Sequence, residues 1–354
     1  MNRYTDIAVD GYERVVRCEN TQIGFTAWAA IHDSTLGPAL GGCRVWNYGS
    51  DDAALTDVLR LSRGMTYKNA LARLPLGGGK SVVRTNLEKV DREALFSNFG
   101  EFIEYLGGIY ITAEDVNSTL TDMEIIQQKT RHVATVGASG NPSPFTAYGV
   151  YCAIKAAARF KLKRHDLAGL TIAIQGLGQT GGRLAELLAQ DRCRIIGTDI
   201  SKRNMRMLQE KISFERVDAD EIYHVKCDIF SPCALGGIVN STTIPRLRCS
   251  IIAGSSNNQL LKEEDGEAVR KRGILYVPDY AANAGGVINI SCEIGQKYDA
   301  EAAKEKTAEI GACVTEIFQL AEKRELPTNI VADQLAEEII ARKRQENQTL
   351  LASV

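Results

Sequence analysis

Leu170-Thr171-Ile172-Ala173-Ile174-Gln175-Gly176-Leu177-Gly178-Gln179-Thr180-Gly181 is the stretch on which the reading of the fold turns. Leu170 to Gln175 is a short apolar run of the kind that forms a buried parallel strand, and Gly176 to Gly181 fits the pattern G-x-G-x-x-G. Gly182 to Asp191 follows with helical spacing, Ile195 to Thr198 reads as the next strand, and Asp199 stands at its end. In such a unit the diphosphate of a dinucleotide approaches backbone N–H groups at the helix N-terminus, where a Cβ would hold it off. Gly176, Gly178 and Gly181 are therefore expected to bind cofactor, and Asp199 to meet the adenine ribose. A carboxylate there repels the extra phosphate of NADP, so the cofactor expected is NAD. Lys202 and Arg203, just beyond, pull the other way.

Composition narrows the class. The 354 residues are 44% hydrophobic, enough for two domains that each bury a core. A net charge of -2 leaves no basic excess for a nucleic-acid partner. No apolar run reaches the length of a membrane span and the N-terminus has no secretory pattern, so a cytoplasmic protein is expected. The nine cysteines form no C-x-x-C pair, and an odd number cannot pair completely, which favours reduced thiols. The four histidines lie far apart without metal-ligand spacing, so no metal site is expected.

Ahead of the dinucleotide unit, strands are expected around Gln22 to His32, Lys80 to Val83 and Gly108 to Ile111, with helices at Asp52 to Met65 and Arg92 to Leu106. Gly137 to Pro144 is dense in turn residues and is the hinge candidate, with helix resuming at Thr146. Further parallel strands are expected at Asp228 to Phe230, Ser250 to Ala253 and Ile274 to Val277, and helix from Ala300 to Ile340, broken at Pro327.

Two lysines stand out in the first part. Lys80 ends Leu76-Gly77-Gly78-Gly79-Lys80-Ser81, but a phosphate-binding loop of the Walker type requires glycine at position 74, where this chain has leucine. The glycines either pack backbone against a small ligand with the ammonium beside it, or make a bend into a strand with Lys80 solvated. Enclosed near a second cation, such a lysine would have a lowered pKa and could act as a base. Glu114-Asp115 follows an apolar strand and either offers a carboxylate to a cleft or is solvated.

Taken together these segments resemble the Glu/Leu/Phe/Val amino-acid dehydrogenases, and within them the leucine dehydrogenase branch. The likeness covers nearly the whole chain and includes Leu36-Gly37-Pro38-Ala39-Leu40-Gly41-Gly42-Cys43-Arg44, Arg63-Gly64-Met65-Thr66-Tyr67-Lys68, Leu76 to Lys80, Thr112-Ala113-Glu114-Asp115-Val116, Gly140 to Pro144, Pro232-Cys233-Ala234-Leu235-Gly236, Ala253 to Gln259 and Asn283-Ala284-Gly285-Gly286-Val287. It implies an α/β protein with an N-terminal α/β substrate and oligomerisation domain (1–138, rejoined by a C-terminal helix at about 328–354) and a Rossmann-type NAD-binding domain (139–327). It also implies reversible NAD-dependent oxidative deamination of an L-amino acid to a 2-oxo acid and ammonia, in a homo-oligomer, an octamer by family likeness.

By the same resemblance Lys68 grips the substrate carboxylate, Lys80 activates water and Asp115 shuttles protons at the nitrogen. Gly41 and Gly42 approach the substrate or make a plain turn. Thr146 and Asn258 orient the nicotinamide, although Thr146 is also a candidate helix N-cap, and Cys233 and Ala234 belong to the cofactor side. Leu40, Met65, Ala113, Ala134, Val287 and Ile290 join Asn258 around the substrate, and their apolar character disfavours glutamate. Leucine is expected as preferred substrate, with isoleucine and valine also accepted. Ala134 stands where leucine enzymes have threonine and the segment before Gly140 is short, which leaves an aromatic amino acid as the alternative. A non-catalytic NAD-binding subunit would lack the two lysines or the aspartate. A 2-hydroxy-acid dehydrogenase would need a catalytic histidine, and His224 has no such setting.

Overall fold

The computed structural model describes residues 2–86, 90–134, 137, 139–295 and 297–352. The chain divides into two units, one of residues 1–140, 290–298 and 336–354, the other of 141–289 and 299–335. Of the hinge candidate, Ala138 lies outside the described residues.

The first unit is built from β1 (Arg3–Asp6), β2 (Arg14–Asn20), β3 (Phe25–Asp33), β4 (Ala39–Trp46), α1 (Asp51–Leu71), β5 (Gly77–Arg84), α2 (Arg92–Tyr105), β6 (Tyr110–Glu114) and α3 (Leu120–Gln127). Its six strands run in the order β1-β2-β3-β5-β4-β6. The first three pairings are antiparallel, whereas β4 is parallel to both of its neighbours, β5 and β6. Strand side chains alternate between faces, and two clusters separate accordingly. Ala27, Ala29, Ile31, Cys43, Val45, Val83 and Tyr110 pack with Phe96, Phe99 and Phe102 of α2 and Met123 and Ile126 of α3. Trp28, Ala30 and Val82 pack instead with Ala54 and Val58 of α1. By the same alternation Leu40, Gly42 and Arg44 of β4, Lys80 of β5, and Ile111 and Ala113 of β6 belong to the α1 face.

The second unit contains α4 (Ser143–Ala157), β7 (Thr171–Gln175), α5 (Gln179–Gln190), β8 (Arg194–Thr198), α6 (Lys202–Gln209), β9 (Glu215–Arg216), β10 (Ile229–Pro232), β11 (Ile251–Ile252), α7 (Asp265–Lys271), β12 (Leu275–Tyr276), α8 (Asp279–Ala282), α9 (Gly285–Ser291), α10 (Ala300–Ala308), α11 (Ile310–Arg324) and α12 (Thr328–Ala352). The strands form one parallel sheet, β12-β11-β10-β7-β8-β9. The order reverses between β7 and β10, as in a doubly wound dinucleotide fold, which places a ligand crevice beyond the carboxyl ends of those two strands. The last part of α9 and most of α12 count with the first unit. That unit therefore regains the chain at Ile290 and again at Ala336, rather than once at about 328.

Candidate active site

In the first unit, glycines let a helix and three strands come close enough to gather charged side chains. A Cβ on Gly78 would lie 2.0 Å from Thr66 N, so α1 crosses β5 there in backbone contact. Asn69 donates from Nδ2 to the Gly77 carbonyl at 2.6 Å and fixes the crossing. Met65 and Lys68, both half-buried, flank that contact on α1. A Cβ on Gly77 would meet Asp33 O at 2.4 Å, and one on Gly79 the Tyr110 ring at 2.7 Å. The three glycines thus pack against the chain itself, within β5, where its register with β3 shifts between Ile31 and Asp33.

Gly41 and Gly42 likewise lie within β4 and form no turn. Gly41 pairs with Thr112 and Gly42 with Ala113. A Cβ on Gly41 would sit 1.9 Å from Gly79 O, and one on Gly42 would sit 2.6 Å from the Asp115 Cβ. Gly42 therefore leaves the space that Asp115 uses. Leu40 and Ala113 are buried beside it. Ala134 is buried too, donating its N–H to the Thr112 carbonyl at 2.8 Å along the β6 edge.

Two residues along β5 from the helix crossing, Lys80 Nζ lies 2.6 Å from Asp115 Oδ2, with the lysine side chain 8% exposed. Neither group is solvated at random. The neighbour expected for Lys80 was a cation; the structure puts the Asp115 carboxylate there. The cation comes one step further out, since Arg44 Nε is 3.5 Å from the same Oδ2. Arg44, which the sequence did not single out, also bonds through Nη1 to Asp57 Oδ2 at 3.1 Å. Burial pushes the Asp115 carboxyl up, but Lys80, then Arg44 and hydrogen bonding, outweigh it and hold the group below the usual aspartate value.

In the second unit the fingerprint glycines divide their work. Gly176 has φ +93°, and a Cβ there would lie 2.8 Å from Ala234 N, so the exits of β7 and β10 touch at the point where the strand order reverses. Cys233 donates its N–H to Gln175 O at 2.7 Å from the same side. A Cβ on Gly181 would lie 2.0 Å from Gly176 O, which makes it the close helix-to-turn contact. Gly178 is different: a Cβ there meets nothing within 4 Å, and as N-cap of α5 it supplies no side-chain hydrogen bond. The open space at an uncapped helix N-terminus is the cradle that a diphosphate requires. The hollow beside it, about 540 Å³, is lined by Asn141, Ser143, Leu177, Gly178 and Gln179 among others.

Asp199 accepts the Leu177 N–H at 2.7 Å and the Ser201 N–H at 2.7 Å, so it braces the glycine turn from the end of β8. Lys202 and Arg203 are exposed at the start of α6. Asn258 is exposed and takes a left-handed φ of +52°, held by its N–H to Asp279 Oδ2 at 2.6 Å and by its carbonyl to the Gly237 N–H at 2.7 Å. Asparagine is among the non-glycine residues that enter this region most readily. Thr146 is no N-cap. The helix begins at Ser143, and the Thr146 hydroxyl donates to Pro142 O at 3.1 Å. Val287 lies half-buried on α9 in this unit, while Ile290, buried on the same helix, counts with the first.

Residues 12–132 match the family model of the Glu/Leu/Phe/Val dehydrogenase dimerisation domain, and residues 198–346 that of Glutamate/Leucine/Phenylalanine/Valine dehydrogenase. Leucine dehydrogenase of Geobacillus stearothermophilus is 46% identical, over 96% of this chain and 94% of that one. The chain belongs to the Glu/Leu/Phe/Val dehydrogenase family. Membership makes it an NAD-dependent amino-acid dehydrogenase, and the cradle around Gly176, Gly178 and Gly181 fits that cofactor. Within the family it is also 40% identical to phenylalanine dehydrogenase of Bacillus thermotolerans, over 97% of this chain and 92% of that one. The crystal structure of L-tryptophan dehydrogenase from Nostoc punctiforme superposes with a TM-score of 0.84 at 41% identity, covering 95% of this chain and 97% of that one. All nine cysteines are free thiols. Among the described residues no helix is long and apolar enough to cross a membrane, and no cluster suited to a metal ion occurs.

Proposed function

We propose that this dehydrogenase oxidatively deaminates branched-chain L-amino acids, leucine first and isoleucine and valine after it, to the 2-oxo acid and ammonia. The observation that carries the chemistry is the Lys80–Asp115 pair at 2.6 Å, enclosed between α1 and the sheet. NAD, when bound, supplies the acceptor for the hydride that leaves Cα. Gly176, Gly178 and Gly181 would hold its diphosphate, Asp199 its adenine ribose, and Thr146, Cys233, Ala234 and Asn258 the remainder. Hydride can leave only when the substrate nitrogen is deprotonated and its lone pair is free. Asp115 takes that proton, because an ionised carboxylate can accept it. Lys80 then removes a proton from the water that attacks the resulting iminium carbon and passes it to solvent. Asp115 returns its proton to the nitrogen, and as the C–N bond breaks and ammonia leaves, Lys80 takes the hydroxyl proton and the C=O forms. Lys68, on the α1 segment fixed at the Gly78 crossing, holds the substrate carboxylate by its permanent charge.

The branched-chain preference is supported by the apolar character of the candidate substrate residues, Leu40, Ala113 and Ile290 of the first unit and Val287 of the second, none of which could match a second carboxylate. The similarity to phenylalanine and tryptophan enzymes supports an aromatic substrate as second reading, and the small Ala134 in place of a threonine is consistent with it. The match of residues 12–132 to a dimerisation domain supports assembly into a homo-oligomer, read as an octamer.

A kcat/KM panel with leucine, isoleucine, valine, phenylalanine, tryptophan and glutamate decides the substrate. Leucine is expected to lead, with isoleucine and valine within about 10–200-fold, the range one methylene commands in an apolar pocket. A faster aromatic substrate would replace the branched-chain assignment while keeping the chemistry.

A further inference from the structure

We infer that Arg44 is a positioning residue for the proton transfers: its guanidinium, pinned by Asp57, holds the Asp115 carboxylate in place and in its charged, proton-accepting form. The inference rests on the reading of Asp115 as proton carrier. Arg44 stands two positions beyond Gly42 on β4, and Cys43 between them is paired with Glu114. That register brings Arg44 alongside Asp115. Its Nε is 3.5 Å from Oδ2, the oxygen that also meets Lys80 Nζ at 2.6 Å, so one anionic atom faces two cations. At its other end Arg44 Nη1 bonds Asp57 Oδ2 at 3.1 Å, and that oxygen also accepts the Tyr48 hydroxyl at 2.5 Å. Hydrogen-bonded to Asp57, ion-paired with Asp115 and only 23% exposed, the guanidinium cannot readily swing away. The Asp115 backbone is fixed as well, its N–H donating to Ser118 Oγ at 2.9 Å, and that hydroxyl donating to Cys43 O at 2.8 Å.

The two cations differ in what they can offer through a catalytic cycle. Lys80 has to give up and regain a proton if it is to activate water, whereas arginine stays protonated at any pH the enzyme meets. While Lys80 is neutral, Arg44 is the cation still paired with the carboxylate. The other titratable groups that feel the Asp115 charge are Glu114, Cys43 and the phenols of Tyr48 and Tyr110, none of them a cation. Burial opposes ionisation of Asp115, but Lys80 and Arg44, with hydrogen bonds from Lys80 and the Val116 backbone, outweigh it and hold the carboxyl below the usual aspartate range.

The full-length protein tests this with Arg44→Met and Arg44→Lys. The Asp115 carboxyl is titrated by infrared difference spectroscopy, with Asp115→Asn as the blank, and kcat, KM and Tm are measured beside it. Loss of the guanidinium charge is expected to raise the carboxyl midpoint by about one pH unit or more. It is expected to lower kcat on the acid side of the pH profile, where the raised midpoint leaves less carboxylate, by up to about tenfold with the amino-acid KM little changed, and lysine is expected to recover most of both. Arg44→Gln gives the same reading if the methionine variant does not fold. An unmoved midpoint in a folded variant, or a kcat loss that follows Tm and is not recovered by lysine, overturns the inference. A fully active Asp115→Asn enzyme overturns the proton-carrier reading and the inference with it; an inactive one beside an unmoved midpoint overturns the inference alone.

Discussion

Replacing Lys80 by alanine is expected to lower kcat for amino-acid oxidation by about 10²–10⁴-fold, the usual contribution of a positioned acid or base, while NAD binds as before. The separation follows from where the residue sits. Lys80 is on β5 of the first unit, whereas every glycine of the cofactor cradle is in the second. The substitution also strips Asp115 of its nearest partner and leaves a carboxylate, 23% exposed, beside Arg44 alone. Some stability should be lost with it, because an ion left without its partner away from bulk water is costly. Steady-state kinetics with titration of NAD binding and a thermal melt separate these effects. Near-normal turnover in a folded variant would remove Lys80 from the chemistry.

The second large effect is a contrast between two glycines three positions apart in one turn. Gly178→Val should leave Tm almost unchanged, since its φ of -69° is one that side chains adopt and the new Cβ meets no protein atom within 4 Å. It should nevertheless weaken NAD binding on the order of 100-fold, as expected if two charge-assisted hydrogen bonds of about 1.5 kcal/mol each are lost at the helix N-terminus. Gly181→Val should do the reverse first. Its Cβ would lie 2.0 Å from the Gly176 carbonyl, so the helix must move, at about 1–3 kcal/mol or more for such overpacking. Tm should fall by several degrees, with binding lost in consequence. Equal melting temperatures for the two variants would refute this division of roles.

The same contrast explains what the sequence could reveal. The β7-α5-β8 segment was legible because its apolar strands, glycine spacing and terminal acid lie close together in the chain, and each obeys a local rule. Strand β4 was not legible, because Gly41 and Gly42 weaken any strand pattern and invite a turn. What keeps them in the sheet is nonlocal: the backbone of Gly79 and the side chain of Asp115 occupy the places their Cβ atoms would need. The partnership of Lys80 with Asp115 is hidden for the same reason, since β5 and β6 are separated in the sheet by β4 and only the register of both pairings brings the two side chains together. Arg44 was visible as a letter in a motif. Its meaning emerged only when alternation along β4 placed it on the α1 face with Lys80. The alternative of Thr146 as a helix cap falls because the helix starts earlier, at Ser143.

The central claim is that this chain removes hydride and amine from the same carbon of an amino acid. The most direct measurement is the stoichiometry of a single reaction of purified protein with L-leucine and NAD, following reduced nicotinamide, 2-oxo acid and ammonia together. The three are predicted to appear in equal amounts and at one rate. Reduced nicotinamide without ammonia, or no product from any amino acid tried, would contradict the account.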